Sequence, residues 1–480
     1  MKHQIGLIVF ATFLVFSCKP QVKNIMPSAN GTWKSIGSGW ILNIKDSTEY
    51  AFYDITSISC IPSRKGNFKE IESSLQIHDD TLSLQKGIIS YKFIKHEELP
   101  QLCETELTET RKNDPVYNFE VFAETVKEHY AFFDLNQIDW NSLYNTQRAK
   151  INVNTSDVEL FQLIDHTFEQ LNDNHAYLEA TDDLYEALDS LQTDLAEDNL
   201  VEENTEELPE YGDFTVAEIV AKNHLEEEMT TDSWLMQWGK LNDKIGYVQI
   251  KAMWLYADLN IPEDLIQEIG YVDAYVETFH QLYEGEYMHK EVLGVRKTMK
   301  KILQDLSNME SIVLDVRFNG GGQDAVSYEI LSWFLPRQKL QVATEKLRYG
   351  TSYSPTQSII IEAKDNAFTK NVYVLTSQQS ASAAESFAIA TMAMSNVKRI
   401  GMPTDGAIST ALEKKLPNGW AIALSNELFM DNNGKTYENL GVPVDFELGY
   451  AEDRQTFFRS VVNDLEADKQ TILKAVNAIQ

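Results

Sequence analysis

The chain has 480 residues, too many for one ordinary hydrophobic core, so two or three domains are expected. Its composition is globular, 43% hydrophobic and 11% aromatic, with no low-complexity tract. A formal net charge of −32 argues against nucleic acid or an anionic membrane surface as a partner, and for solubility.

The N-terminus reads as a secretion signal. Lys2 and His3 precede the apolar run Ile5–Phe16, which is short for a membrane span, and Ser17 and Cys18 follow it. Val15-Phe16-Ser17-Cys18 resembles a bacterial lipobox, in which the cysteine carries lipid and becomes the first residue. Residues 1–17 are therefore expected to be a signal peptide, Cys18 to be lipidated, and residues 18–29 to form a tether. That places the chain in the cell envelope, on a bacterial membrane, facing the periplasm or the surface. In such an oxidising compartment Cys60 and Cys103 either pair as one disulfide or remain two buried thiols.

Residues 30–110 carry short β-like runs: Gly31–Trp33, Trp40–Ile44, Tyr50–Ile55, Leu75–His78 and Ile88–Ile94. Turn residues separate them, which predicts a small antiparallel β module. Residues 115–230 change texture. Phe119–Phe133 and Leu160–Leu171 have amphipathic helical spacing and predict a helical cap. From Glu179 to Asp213 inclusive there are fourteen Asp or Glu and no Lys or Arg. Their spacing matches no calcium loop, so a solvated acidic insert is expected. Residues 231–450 alternate strand-like runs (Ile245–Ile250, Ser311–Arg317, Val372–Leu375, Val397–Gly401, Trp420–Ser425) with helical ones (Val292–Leu306, Ser327–Leu335), which argues for an α/β core. Residues 451–480 read as closing helices.

Two stretches of the core could carry chemistry. In Thr376–Ser395, which follows the apolar strand Asn371–Thr376, small polar residues lead into helical spacing. Ser380 and Ser382 thus fall at a strand-to-helix turn, where free N–H groups and the helix dipole stabilise an anion. A serine there is either a nucleophile or a helix cap. In Leu314–Asp324 a strand ends in Asn319-Gly320-Gly321-Gly322. Such a loop can present N–H groups to a phosphate or an oxyanion, but it lacks the Walker ending and the dinucleotide fingerprint. Asp315 and Arg317 beside it are expected to be a buried bracing pair.

Five segments occur in order: LNDNHAYL (171–178), DVRFNGGG (315–322), SASAAE (380–385), RIGMPTDG (399–406) and YENLGVPVD (437–445). The set resembles the tail-specific, or C-terminal-processing, serine peptidase family. Twenty-five residues after Ser382, where one branch has its lysine base, stands Ala407, and Lys414 and Lys415 are out of register. The resemblance is therefore to the branch of the tricorn core and the retinoid-binding-protein repeats. It implies a mixed-sheet peptidase core of the ClpP/crotonase-like type, with Ser382 as nucleophile, His175 as base and Glu438 acting through a network. It further implies an oxyanion hole from the N–H of Ala383 and one from Gly320 or Gly321. Ala176 stands where the family has a hydroxyl beside the histidine, which leaves Asp173 or Asn174 to orient His175. His129 and His166 remain alternative bases. No PDZ-like carboxylate loop is visible. The expected activity needs no cofactor or metal: hydrolysis of peptides or unfolded protein tails through an acyl-enzyme. A ligand-binding or interaction protein on the same fold is the alternative.

Overall fold

The computed structural model describes residues 29–87, 89–197 and 208–479. The signal peptide, the lipobox cysteine and most of the tether lie outside the described residues.

Residues Gly31–His96 form a seven-stranded antiparallel sheet. Its strands alternate, and the inward set (Trp33, Leu42, Phe52, Leu82, Leu84, Phe93) closes over Phe68 and Ile71. Five strands fall where the sequence predicts them, and Cys60–Asn67 and Thr81–Lys86 complete the sheet. Cys60–Asn67 contains Pro62, which supplies no ladder donor. It is accommodated because this is an edge strand, with a bulge opposite Phe52 and Tyr53. A disulfide joins Cys60 to Cys103 and fastens the edge strand to the short helix Gln101–Glu104, so the free-thiol alternative does not hold.

Three helices follow: Pro115–His129, Trp140–Arg148 and Asp157–Leu171. Each begins at a capping side chain: Asp114, Asp139 and Ser156, the last in a capping box with Glu159. Phe119, Phe122, Ile164 and Phe168 interlock and take in Ile422 and Leu424 from the core, which docks the cap on the core. The acidic segment departs from a fully solvated insert. It opens as a helix, Asp182–Glu197, with Leu184 buried against the same cluster.

The core is a second seven-stranded sheet. Ile245–Ile250, Ser311–Asp315, Asn371–Thr376 and Val397–Gly401 run parallel, and Met236–Lys240 adds an antiparallel strand. The central strands are buried on both faces, as parallel strands must be. Ile312, Leu314, Val372 and Val374 pack under helices Glu284–Leu306, Asp324–Leu331 and Ala383–Thr391. Val313, Tyr373 and Leu375 pack on the other side against Ala221 and Ile472, from helices Asp213–His224 and Leu465–Ala478. A smaller sheet joins cap to core: Tyr177–Glu179 pairs with Ala421–Ser425, which pairs with Ala411–Lys415. These connections bring the cap's histidine turn and the C-terminal ends of the core strands to one place.

Candidate active site

The turn after strand Asn371–Thr376 distinguishes its serines. Ser380 is wholly buried. Its hydroxyl donates to Val316 O at 2.7 Å and accepts the Ser377 N–H at 3.1 Å, so it is spent on holding the turn. Ser382 stands immediately before helix Ala383–Thr391 with φ +54° and ψ −121°, a region that a residue with a Cβ rarely adopts. Its N–H donates to Ala407 O at 2.9 Å and to Glu385 Oε2 at 3.2 Å. Its Oγ faces the Glu385 N–H as a helix cap, and among the described residues the hydroxyl donates to no acceptor. The next N–H, of Ala383, is at the first turn of the helix and also lacks an acceptor among the described residues.

The glycine loop lies against this serine. Asn319, wholly buried, fixes it: Nδ2 donates to Ile250 O at 3.1 Å and Oδ1 accepts the Gly321 N–H at 2.9 Å. Gly321 has φ +105°, and a Cβ there would lie 2.6 Å from Ser382 Cβ and 3.0 Å from Ala383 N. Only glycine permits that approach. The sequence leaves the second oxyanion donor open between Gly320 and Gly321. Because Asn319 occupies the Gly321 N–H, Gly320 is the one whose N–H keeps no acceptor among the described residues.

His175 sits in the turn between the cap helix Asp157–Leu171 and strand Tyr177–Glu179. Asp173 holds this turn to the core. It accepts the His175 backbone N–H at 2.9 Å and, from Ser425, the hydroxyl at 2.7 Å and the N–H at 2.9 Å. Asp173 therefore orients the backbone of His175, not its ring. The imidazole is half-buried, and its Nδ1 is buried without a partner. Burial lowers its pKa, and the charges of Asp173, Asp405 and Glu427 offset this in part, so the ring is neutral at neutral pH and can accept a proton. No hydrogen bond joins His175 to Ser382. The rival histidines are engaged elsewhere. His129 is buried against Gly37 O at 3.0 Å, and burial together with Lys414 lowers it to about 3. His166 is exposed beside Glu169. Neither hydrogen-bonds Ser382.

Glu438 is 3% exposed, and its Oε2 accepts the N–H groups of Ile408 and Ser409 at 3.1 and 3.0 Å. Those residues follow Ala407, whose carbonyl takes the Ser382 N–H, so Glu438 bears on the serine through this segment. Burial, with the charges of Asp173 and Glu385, pushes Glu438 up to about 8. Lys414 pairs with Asp54 of the β module at 2.9 Å. Two residues here carry weight that the sequence reading did not give them. Glu385 has its carboxylate on the Ser382 N–H. Asp405 lies within electrostatic reach of His175 and accepts from Asn174 Nδ2 at 3.4 Å. The Ser-x-x-Glu spacing in SASAAE was the legible signal for the first.

A cavity of about 460 Å³ adjoins this site without enclosing Ser382. Trp40, Lys86 and Tyr91 of the β module line it, with Thr410 to Lys415 of the core. Gln323, next to the glycine loop, and Glu427, which acts on His175, complete it. Among the described residues no group of three His, Cys, Asp or Glu side chains is arranged to hold a metal ion.

Residues 244–448 match the sequence model of peptidase family S41, and residues 111–168 that of the tricorn protease C1 domain. Among solved structures, a Parabacteroides merdae protein described as a peptidase superimposes with a TM-score of 0.51 at 19% identity. The match covers 74% of this chain and 98% of that one. Mature CPAF complexed with lactacystin gives 0.52 at 11% identity, over 77% and 99% of the two chains. At those identities the likeness is one of fold, and it agrees with the mixed α/β core expected from the sequence.

Proposed function

We propose that this serine-type peptidase of the S41 kind cleaves peptides or unfolded protein tails through an acyl-enzyme on Ser382, with His175 as the base. The observation that carries the reading is the nucleophile turn. Ser382 is held at positive φ, its hydroxyl proton without an acceptor among the described residues, beside two N–H groups, those of Ala383 and Gly320, that also have none there.

The steps follow from the groups present. A serine hydroxyl is a poor nucleophile until a base removes its proton, and a neutral His175 takes it as Oγ attacks the scissile carbonyl. The oxyanion that forms is met by the Ala383 and Gly320 N–H groups and the helix N-terminus. Collapse expels the amine, which takes the proton from His175. Water then enters, gives a proton to His175 and attacks the acyl carbon; the bond from Ser382 Oγ to that carbon breaks, His175 returns the proton to Oγ, and the acid product leaves. Catalytic hydrogen bonds of an unliganded site are often long and tighten on substrate binding, so His175 is expected to close on Ser382 in the complex. Glu438 supports Ala407 and thereby the Ser382 backbone.

The reading extends to place. Residues 1–17 are a secretion signal in it, and lipid on Cys18 anchors the enzyme in a bacterial envelope. No helix among the described residues is long and apolar enough to cross a membrane. Substrate access is shaped by the β module and the helical cap in place of a PDZ domain. Treatment of the protein from residue 26 onward with a fluorophosphonate tests the chemistry. Wild type is expected to be labelled, and Ser382→Ala and His175→Ala are not. Labelling that survives in His175→Ala moves the base elsewhere, and a folded wild type that resists labelling removes the peptidase reading.

A further inference from the structure

We infer that Glu385 is a positioning residue for the nucleophile, a clamp that fixes the Ser382 turn to the Thr404–Gly406 loop facing His175. The inference rests on the peptidase reading of Ser382. Glu385 is wholly buried, and among the described residues no cation pairs with it. Its carboxylate is satisfied by donors from two separate segments. Oε2 accepts the Ser382 N–H at 3.2 Å. Oε1 accepts the Thr404 hydroxyl at 2.6 Å and the Gly406 N–H at 2.7 Å.

A glutamate three residues into a helix commonly reaches back to the cap N–H, and that alone would be ordinary capping. The two donors from Thr404 and Gly406 are what capping does not require. They extend further. Thr404 Oγ1 accepts the Val442 N–H at 2.6 Å, which ties in the segment that carries Glu438. Asp405, between the two donors, gives its N–H to Ser380 O at 3.1 Å and takes the Asn174 side chain from the His175 turn. One carboxylate thus sets the spacing between the nucleophile turn and the loop beside the base. A misplacement of about 1 Å at such a point costs roughly 10²-fold in rate.

The charge environment supports the assignment. Asp405 faces Glu385, Glu438 lies within reach of its charge, and His175 faces Asp405 in turn. Asp173 and Tyr130 also lie within reach of the Glu438 charge. Burial moves Glu385 up to about 7, with the Thr404 and Gly406 donors pulling the other way. Protonation of Glu385 weakens the clamp, and it occurs near neutral pH.

The test compares the full-length wild type with Glu385→Gln and Thr404→Val. Fluorophosphonate labelling rates are measured across pH 5 to 9, with amide exchange of Gly406 and thermal unfolding alongside. In Glu385→Gln the maximal labelling rate is expected to fall about 10²-fold, with the half-saturating probe concentration unchanged. Its acidic limb should move to lower pH, because a like charge beside Glu438 and Asp405 is gone. In Thr404→Val a donor to the charged form is lost, so the limb should move to higher pH. Gly406 should exchange faster in Glu385→Gln. Two results overturn the clamp while leaving the peptidase reading intact. One is a wild-type rate with an unmoved limb. The other is a rate that falls only in step with the folded fraction. An unlabelled wild type overturns the peptidase reading and this role together.

Discussion

Two clusters of buried charge stand at the same end of the core sheet, and they are built on opposite plans. At the first, Arg317 is wholly buried and forms ion pairs with Asp315 at 2.7 Å and Asp468 at 2.9 Å. Tyr247 and Tyr450 donate to the same carboxylates. Burial alone would raise Asp468, but Arg317 and then His224 outweigh it and hold Asp468 well below the usual carboxylate range. At the second, Glu385 and Glu438 are as deeply buried, yet neither forms an ion pair among the described residues. They have only N–H and O–H donors, and Glu438 carries the repulsion of Glu385. Burial lifts them to about 7 and about 8. A paired carboxylate is locked in one charge state and serves as an anchor. An unpaired one stays close to titration and responds to pH and to nearby chemistry, which suits the neighbourhood of a reacting serine.

The contrast can be broken at either cluster. Ser382→Ala should remove about 10⁶-fold in kcat while lowering the unfolding midpoint by no more than a few degrees, since the lost hydroxyl only caps the Glu385 N–H among the described residues. Peptide hydrolysis and thermal unfolding together check this. Arg317→Met should do the reverse. It leaves Asp315 and Asp468 buried without their cation, a loss of about 3–5 kcal/mol in denaturant unfolding. Activity should decline only with the folded fraction. An Arg317→Met protein that is stable but inactive would dissolve the distinction between anchor and site.

The two clusters were not equally legible. The central strands could be read because runs such as Ile312–Leu314 and Val372–Leu375 are apolar throughout, as double burial requires. Ser382, His175 and the glycine loop were singled out by motif order, and the structure gathers their segments at the C-terminal ends of those strands. Strand Lys339–Tyr349 was missed. A bulge between Gln341 and Ala343 breaks its period of two, and Glu345 points inward where alternation demands an apolar residue. Asp468 as the partner of Arg317, and Asp405 as a charge beside His175, depend on contacts between segments far apart in the chain. Local spacing holds no record of such contacts.

The pH response sharpens the comparison further. Glu385 and Glu438 bind protons more tightly folded than unfolded, so they favour the fold most at low pH. That contribution fades as pH rises from the ordinary carboxylate range through about 7 and about 8. Asp468 behaves oppositely: its contribution is present above its unfolded value and is lost as pH falls toward its depressed folded value. Glu438→Gln should therefore lessen the decline of stability between pH 5 and 8.5, by on the order of 2–4 kcal/mol. Urea unfolding at several pH values measures it. A decline identical to wild type would mean that Glu438 is ionised at no cost, contrary to its burial.

The smallest effect is expected at a third cluster, which separates the kind of charge from its location. Glu345 and Glu427 lie on paired strands, diagonal across the ladder, since Glu345 faces Phe429 and Leu347 faces Glu427. Each is 1% exposed, each has one carboxylate oxygen without a hydrogen-bond partner, and neither forms an ion pair among the described residues. Burial, and then the charge of Glu427, hold the Glu345 pKa well above the usual range. This is the unpaired plan again, but Glu345 touches neither Ser382 nor His175. Glu345→Gln keeps the shape and removes the proton uptake that folding demands of a raised carboxyl, so it should stabilise the fold by about 1 kcal/mol at pH 8 and less at pH 5. Activity should stay within about twofold, because only Glu427, not Glu345, acts on His175. If activity instead fell as it is expected to in Glu385→Gln, unpaired burial itself would be the functional property. If stability alone changes, what distinguishes the Ser382 carboxylates is the backbone they hold.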